Sequence, residues 1–164
     1  MIMTDYDILI TNLIEEIKKL HHKYENSLSV GPDYYEPGFM EYPEQYYGSY
    51  DESTGIITIK FEAMGTRYEG RTEQIESVKL HDKIKIVRDT DNSYNRNNFI
   101  LFSESDKNLG TLPADLCNAL APLYDNGKLL FKSTSVSFVK PISVRSRHAK
   151  KAVLFIEVVI ELKR

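Results

Sequence analysis

Residues 56–64 read IITIKFEAM, and with this stretch begins the part of the chain that decides the fold. Apolar and polar residues alternate along it, and several are β-branched, which is typical of a half-buried β-strand. Further strand patterns occupy residues 83–87, 98–102, 129–139 and 152–162, and a short extended segment stands at residues 109–110. At least five strands and one inserted helix predict a mainly β fold of the α+β class, a small OB-like β-barrel.

The inserted helix is predicted over residues 113–124. Pro113 suits the first turn of a helix, where its missing N–H costs nothing. Leu116, Leu120 and Leu123 recur at helical spacing and give the segment one apolar face. Gly127 follows at the position where glycine commonly ends a helix.

A second helix is predicted at the N-terminus, over residues 4–24. Thr4 and Asp7 have the spacing of a capping box. Apolar or aromatic residues then recur at intervals of three and four, as in a heptad stripe. They are Tyr6, Ile10, Leu13, Ile17, Leu20 and Tyr24. Two uses of this stripe remain open, packing on the chain's own domain or pairing with a second copy in a homodimer.

Residues 26–55 are predicted to be a loop-like, tyrosine-rich connector because Gly and Pro punctuate them. The chain thus divides into an N-terminal amphipathic helix (1–25), the connector (26–55) and a β-barrel domain (56–164). Seven aromatic residues lie between positions 34 and 50: Tyr34, Tyr35, Phe39, Tyr42, Tyr46, Tyr47 and Tyr50. They could stack on nucleic-acid bases or attach the segment to the domain. Their stretch contains no Lys or Arg and several Glu residues, which favours attachment.

Composition narrows the class of protein. Cys117 is the single cysteine, so no intrachain disulfide forms. No secretory signal and no apolar run of membrane-spanning length is evident, so we expect a cytoplasmic protein without a membrane partner. The net charge is −3, but residues 1–60 hold 4 basic and 11 acidic residues, so the rest of the chain is mildly basic. That basic part permits phosphate binding.

Three clusters in the β-rich part together resemble the HIRAN domain family. They are residues 65–71 (GTRYEGR), residues 87–95 (VRDTDNSYN), and residues 109–116 (LGTLPADL) continued by residues 120–127 (LAPLYDNG). The resemblance covers about two-thirds of the chain. It implies an OB-like barrel that captures single-stranded DNA and prefers the free 3′ end. Such domains occur alone in bacteria, or fused to Swi/Snf-class ATPases that remodel replication forks, and this chain is similar to the first kind.

The resemblance carries over to nine candidate nucleic-acid-binding residues. They are Arg67, Tyr68, Arg71, Arg88, Asn92, Tyr94, Asn95, Gly110 and Thr111. The arginines would grip phosphates, and Tyr68 and Tyr94 would form the two walls of one pocket that holds an unpaired base. Asn92 would bond a base edge or shape its turn, and Gly110 would let the backbone pass close to the ligand.

Three positions depart from the family pattern. Ser93 stands where Pro is usual, and Asn95 stands where an Asp is the expected acceptor for a terminal 3′-hydroxyl. Thr111 replaces an aromatic residue or His, so it can bond a phosphate but cannot stack. Because the Asn95 amide is neutral, the preference for a 3′ end stays open.

Purely structural roles compete with these assignments. Residues 92–95 could simply form a turn. Tyr68 could be a core or rim aromatic, and Arg67 and Arg71 could be solvated surface charges. Five basic groups between residues 145 and 151 could contact phosphates or form a mobile solvated loop.

Sequence features of an enzyme are missing. The chain has no Gly-x-x-x-x-Gly-Lys-Ser/Thr phosphate loop, and its four histidines and Cys117 are scattered, so we expect no metal and no cofactor. Asp89 and Asp91 could hold Mg²⁺ in a nuclease, but turn chemistry explains both. The sequence therefore predicts a non-catalytic binder of single-stranded DNA or DNA ends, with a role in repair or fork processing and a helicase or repair partner. The alternative is a protein-interaction module that has lost DNA binding.

Overall fold

The computed structural model describes residues 4–29, 46–145 and 149–163. Their elements, in chain order, are α1 (Asp5–Ser29), β1 (Tyr47–Asp51), β2 (Ile56–Glu62), α2 (Arg71–Ile75), β3 (Ile84–Asp89), β4 (Asn98–Ser103), β5 (Asn108–Thr111), α3 (Ala114–Asp125), β6 (Leu129–Lys140), a 3₁₀ turn (Ile142–Val144) and β7 (Val153–Leu162). The mainly β class with an N-terminal helix and an inserted helix is confirmed. α2 and β1 were not predicted.

The strands form two antiparallel sheets, in the orders β1-β2-β7-β6 and β3-β4-β5. Single bridges join the sheets at two corners, Met64 to Thr111 and Lys83 to Ser135. The predicted barrel is therefore not closed by continuous strand pairing. β6 carries bulges on both sides of Ser135, and bulges bend a strand, so only this short stretch of β6 pairs with the second sheet.

The core lies between the two sheets and beneath α3. The alternation of residues predicted for β2 matches the burial of its side chains. Ile57, Ile59 and Phe61 are fully buried, while their neighbours in the strand are only partly buried. Phe99 and Phe155 supply the largest buried rings of β4 and β7. The apolar face predicted for residues 113–124 is the buried face of α3.

α1 packs on its own domain, the first of the two uses that the sequence left open. Leu13, Ile17 and Leu20 are buried, so this stretch of the stripe is not available to a second copy. A Cβ on Gly48 would lie 2.4 Å from the carbonyl oxygen of Ile17, so β1 touches the backbone of α1 directly. The capping box is present, since Thr4 and Asp7 exchange backbone N–H to side-chain bonds of 3.1 Å.

The connector proposed for residues 26–55 contains structure at both ends. Its first residues continue α1, and Tyr47–Asp51 forms β1, paired along β2. The prediction of a loop was wrong there because β1 is short and has Gly48 in place of a β-branched residue. Tyr46 packs edge-to-face on Phe155 at 4.9 Å, as the attachment reading expects.

Some of the sequence predictions lie outside the described residues. Tyr34, Tyr35, Phe39 and Tyr42 fall there, and so does the middle of the basic loop at residues 146–148. At the edges of that loop, the Arg145 guanidinium donates to the Lys151 carbonyl oxygen at 2.8 Å.

Candidate nucleic-acid interface

The three sequence clusters meet around the segment that leaves β5 and enters α3. Met64 and Thr111 exchange two backbone hydrogen bonds of 2.8 and 2.9 Å, which join the first cluster to the third. On the other side, the N–H of Leu112 donates to the Phe99 carbonyl oxygen at 3.2 Å, next to the second cluster. Backbone segments that are far apart in the chain are therefore brought together here.

The first cluster forms a tight loop between β2 and α2, with Tyr68 on its outside. The Tyr68 ring is 58% exposed, and the guanidinium carbon of Arg67 lies 5.3 Å from its centroid. The loop is fixed from inside, because the buried Thr72 hydroxyl donates to the Thr66 carbonyl oxygen at 2.6 Å. Arg67 and Tyr68 thus form an exposed pair of a cation and a ring on a rigid support.

Arg71 faces the inside of the same loop. Its side chain is 14% exposed, and one Nη donates to the Gly65 carbonyl oxygen at 3.1 Å. The other Nη lies 3.3 Å from a Glu69 carboxylate oxygen. Arg71 therefore stabilises the loop that presents Tyr68, and little of its guanidinium is exposed for contact with a phosphate.

Arg88 is likewise committed to partners within the chain, and its side chain is 12% exposed. Its guanidinium donates to both carboxylate oxygens of Asp125 at 3.0 Å, and these bonds raise the pKa of Arg88 above its usual value. It also donates to the carbonyl oxygens of Arg96 at 2.7 Å and Asn98 at 3.2 Å. Arg88 joins β3, α3 and the second-cluster loop, so it organises the site from behind.

The second cluster forms a turn that Asn92 organises. Its side-chain oxygen accepts the backbone N–H groups of Tyr94 and Asn95, both at 2.9 Å, which is the geometry of an Asx turn. Tyr94 sits at the tip of this turn and is 98% exposed. Of the two roles considered for Asn92, shaping the turn is the one seen. The turn that displays the Tyr94 ring to water is therefore held by hydrogen bonds between its backbone and the Asn92 side chain.

Asn118 is a residue of this region that the sequence reading missed. Its side-chain oxygen accepts the amide N–H groups of Asn95 at 3.1 Å and Asn97 at 3.2 Å. It thereby fastens the Tyr94 turn to α3 and orients the Asn95 amide. An asparagine on the exposed face of a predicted helix gives no signal of this role. Arg96, exposed next to the same turn, was also passed over.

Gly110 serves a contact within the protein. Its φ is +143°, and a Cβ there would lie 2.6 Å from the Met64 carbonyl oxygen. The sequence predicted the close approach of a ligand, whereas the structure has the approach of the Met64 backbone, just beyond the end of β2. Thr111 is half-buried, and its backbone makes the paired bonds to Met64.

The arrangement offers two separate stacking surfaces with cations beside them. Tyr68 has Arg67, and Tyr94 has Arg96 as its near neighbour in sequence, all four exposed. Within the described parts of the chain no ring contact joins Tyr68 to Tyr94, so each ring presents its own face, and the single pocket walled by both rings stays a prediction. Aromatic faces and exposed guanidinium groups are what a single nucleic-acid strand needs for stacking and charge pairing.

The acidic pair of the second cluster is used locally. The oxygens of Asp89 accept the backbone N–H of Asp91 at 3.1 Å and the amide of Asn98 at 3.2 Å. Across the residues with described positions, no group of three or more His, Cys, Asp or Glu side chains is arranged to hold a metal ion.

Cys117 is buried behind the site, and burial raises the pKa of its thiol to about 11. A thiol reacts through its thiolate, so near pH 8 we expect Cys117 to resist a chromogenic disulfide reagent. Labelling should begin only when denaturant unfolds the protein, and its onset should follow the unfolding transition. Stoichiometric labelling of the native protein at the rate of a free thiol would contradict this burial.

Comparison with known proteins agrees with this architecture. A family model described as HIRAN domain matches residues 56–162. A crystal structure of the HIRAN domain of human HLTF superposes with a TM-score of 0.50 and 19% identity, over 65% of this chain and 77% of that one. A crystal structure of a Lactobacillus plantarum protein has a TM-score of 0.47 and 15% identity, over 64% and 98% of the two chains.

An NMR structure of the HLTF HIRAN domain in its DNA-bound conformation has a TM-score of 0.44 and 18% identity, over 65% of this chain and 76% of that one. No curated protein matches the chain. None of the helices in the described residues has the length and apolar character needed to cross a membrane.

Proposed function

The chain belongs to the HIRAN domain family, and from this membership and the exposed rings of Tyr68 and Tyr94 we propose that it is a non-catalytic DNA-binding module. Its ligand would be single-stranded DNA or the single-stranded end of a duplex. Such a module would act in repair or fork processing, beside a helicase or repair protein that supplies the chemistry. The family and the site chemistry support this proposal.

Tyr94 is the observation on which the proposal depends most. A tyrosine that is 98% exposed contributes almost nothing to folding, yet its turn is held by the bonds from Asn92 and Asn118. A solvated ring on a fixed turn is well placed for a flat partner, because little loop freedom is lost on binding. An unpaired base is such a partner, and stacking on it is worth about 1–3 kcal/mol.

Arg67 and Tyr68 would bind a second nucleotide. The guanidinium lies over one part of the ring and is exposed, so it can bond a phosphate while the ring stacks on the attached base. Asn95 would contact the end of the strand through the second amide N–H and the second oxygen lone pair, which its bonds to Asn118 and Asn97 leave for a ligand. The preference for a 3′ end belongs to this finer part of the proposal.

Tyr94→Ala is expected to weaken binding of an oligonucleotide of about ten bases by about 5- to 150-fold, because one stacking partner is lost. Tyr94→Phe keeps the ring and should bind nearly as the wild type does. Fluorescence anisotropy at low salt measures both affinities, and thermal unfolding should show all three proteins equally stable. Equal affinity of the alanine variant and the wild type would remove Tyr94 from the site.

Arg67→Ala is expected to weaken binding and also to flatten its dependence on salt. Each phosphate neutralised on a single strand contributes about −0.7 to the slope of log K against log salt, so the slope should fall in magnitude by about that amount. Arg67→Lys retains the charge and should retain the slope. The measurement is a series of anisotropy titrations from low to moderate salt, and an unchanged slope for Arg67→Ala would exclude a phosphate contact.

End recognition is tested separately, with oligonucleotides whose 3′ end is free or blocked. Weaker binding of the blocked strand would support contact with the terminal hydroxyl, whereas equal binding would leave a general single-strand binder. Flat titrations with every strand at low salt would favour the protein-interaction module instead.

Incubation of labelled DNA with Mg²⁺ or Mn²⁺ tests the non-catalytic assignment, since cleavage that Asp89→Ala abolishes would overturn it.

A further inference from the structure

A second surface, whose lining includes none of the candidate nucleic-acid-binding residues, lies where the two sheets separate. β3 and β6 meet only at the bridge from Lys83 to Ser135, and beside it opens a groove of about 830 Å³. Its lining comes from residues 81 and 83–86 on one side and from residues 129–135 with Tyr124 on the other. We call this surface the edge groove.

Free strand edges border the edge groove on both sides. β3 pairs only with β4, and β6 pairs only with β7, so each is the outer strand of its sheet. In the described part of the chain, every second backbone N–H and C=O of β3 beyond the bridge lacks a partner strand. Exposed edges of this kind invite the addition of another strand, and proteins usually cover them.

The charge of the edge groove is one-sided. Lys83, Lys85 and Lys132 line it, and no Asp or Glu stands among the lining residues that are described. Lys83 forms no ion pair there, whereas Lys85 pairs with Asp106 and Lys132 pairs with Glu161. These exposed pairs are weak and can be exchanged for others. A partner with carboxylates matches this surface.

The spacing of these charges matches an added strand. Lys83 and Lys85 are two residues apart next to and within β3, so they point to the same face about 7 Å apart. Acidic residues at alternate positions of a neighbouring strand would lie opposite them. The residue between them, Ile84, points the other way, and the half-buried Ile86 and Phe131 give that side an apolar floor.

We propose that the edge groove binds an extended peptide in which acidic and apolar residues alternate, and that the peptide adds a strand to the free edge of β3. The partner would be a segment of another protein. A nucleic-acid strand fits less well, because the Tyr124 and Phe131 rings stack on each other with centroids 5.7 Å apart, which covers one face of each ring. The peptide also satisfies the free backbone groups, which DNA bases would not do in register.

The test is a titration of the whole chain with a labelled peptide of about eight residues in which Glu and Val alternate. Lys83→Glu with Lys85→Glu is expected to weaken binding by about tenfold or more, since two attractive pairs become repulsive. Lys18→Glu with Lys150→Glu makes the same change of charge on exposed residues outside the groove and should leave binding unchanged. All four substituted lysines are exposed, and thermal unfolding verifies that both variants are folded.

A second peptide separates strand addition from simple attraction of charges. Methylation of alternate backbone nitrogens removes the N–H groups that would pair with β3, and we expect it to abolish binding. Equal binding of the methylated peptide would overturn the proposal, and so would equal binding by the Lys83 and Lys85 variant. Loss of DNA affinity in that variant, with no peptide binding by the wild type, would assign the groove to nucleic acid. The Tyr68→Ala and Tyr94→Ala variants should bind the peptide normally, whatever becomes of the DNA proposal.

Discussion

Arg88→Ala is expected to lower the free energy of unfolding by about 2–4 kcal/mol. The substitution removes the bidentate pair with Asp125 and the bonds to the backbone oxygens of Arg96 and Asn98. Those carbonyl oxygens are left without this donor, and a half-buried carboxylate loses its counter-charge. The Asp125 side chain is 48% exposed, so water relieves part of the cost, and the value falls below that of a fully buried pair.

Urea denaturation measures this difference, and Arg67→Ala is the matched control. Arg67 is a candidate arginine whose side chain is exposed, so its removal should change stability by less than about 0.5 kcal/mol. The pair of variants separates an arginine that supports the site from one that would touch DNA. Equal stability of Arg88→Ala and the wild type would mean that the contacts to Asp125 and the backbone do not form in solution.

Gly110→Ala is expected to destabilise the protein by a similar amount, about 2–4 kcal/mol. Two costs combine, because a φ of +143° strains any residue with a Cβ and the new Cβ would lie 2.6 Å from the Met64 carbonyl oxygen. Relief requires Met64 or β5 to move, which breaks the bridge that joins the two sheets at this corner.

Gly127→Ala is the control for strain alone. Gly127 also has a positive φ, +69°, but its Cβ would meet no atom within 4 Å, so the expected cost is about 1 kcal/mol. Thermal or urea unfolding of the two variants measures what the larger φ and the contact with Met64 add together. If Gly110 instead left space for a ligand, Gly110→Ala would fold with normal stability and lose only DNA affinity.

The elements that were predicted are those in which apolar residues recur at the regular spacing of a strand or a helix. The alternation in β2 and the stripe of α1 each place apolar residues on one face, and that face is the buried one. β1 was not predicted because its residues form a strand only through pairing with β2. Its Gly48 is explained by the close backbone of α1, which the sequence pattern does not reveal. The incomplete closure of the barrel was not predicted because it depends on bulges in β6, which arise from packing between strands.

The candidate site shows a sharper limit. A guanidinium is the same group whether it bonds a phosphate or a carbonyl oxygen, so the sequence could not separate the exposed Arg67 from Arg71 and Arg88, which are bound within the chain. The exposure of Tyr94 could not be foreseen for a similar reason, since a tyrosine in a turn can fold inward. Asn118 gained its role only when α3 came beside residues 95–97.

β1 has a further consequence for the integrity of the fold. It lies outside the residues that the family model matches, yet it pairs with five of the seven residues along the outer edge of β2. The edge beneath it reads IITIKFE, a segment of high β-propensity without proline. Segments of this kind, when uncovered, pair with copies of themselves and grow into fibrils. β1, which packs directly against α1, therefore extends the sheet of the matched domain and also protects that domain from self-association.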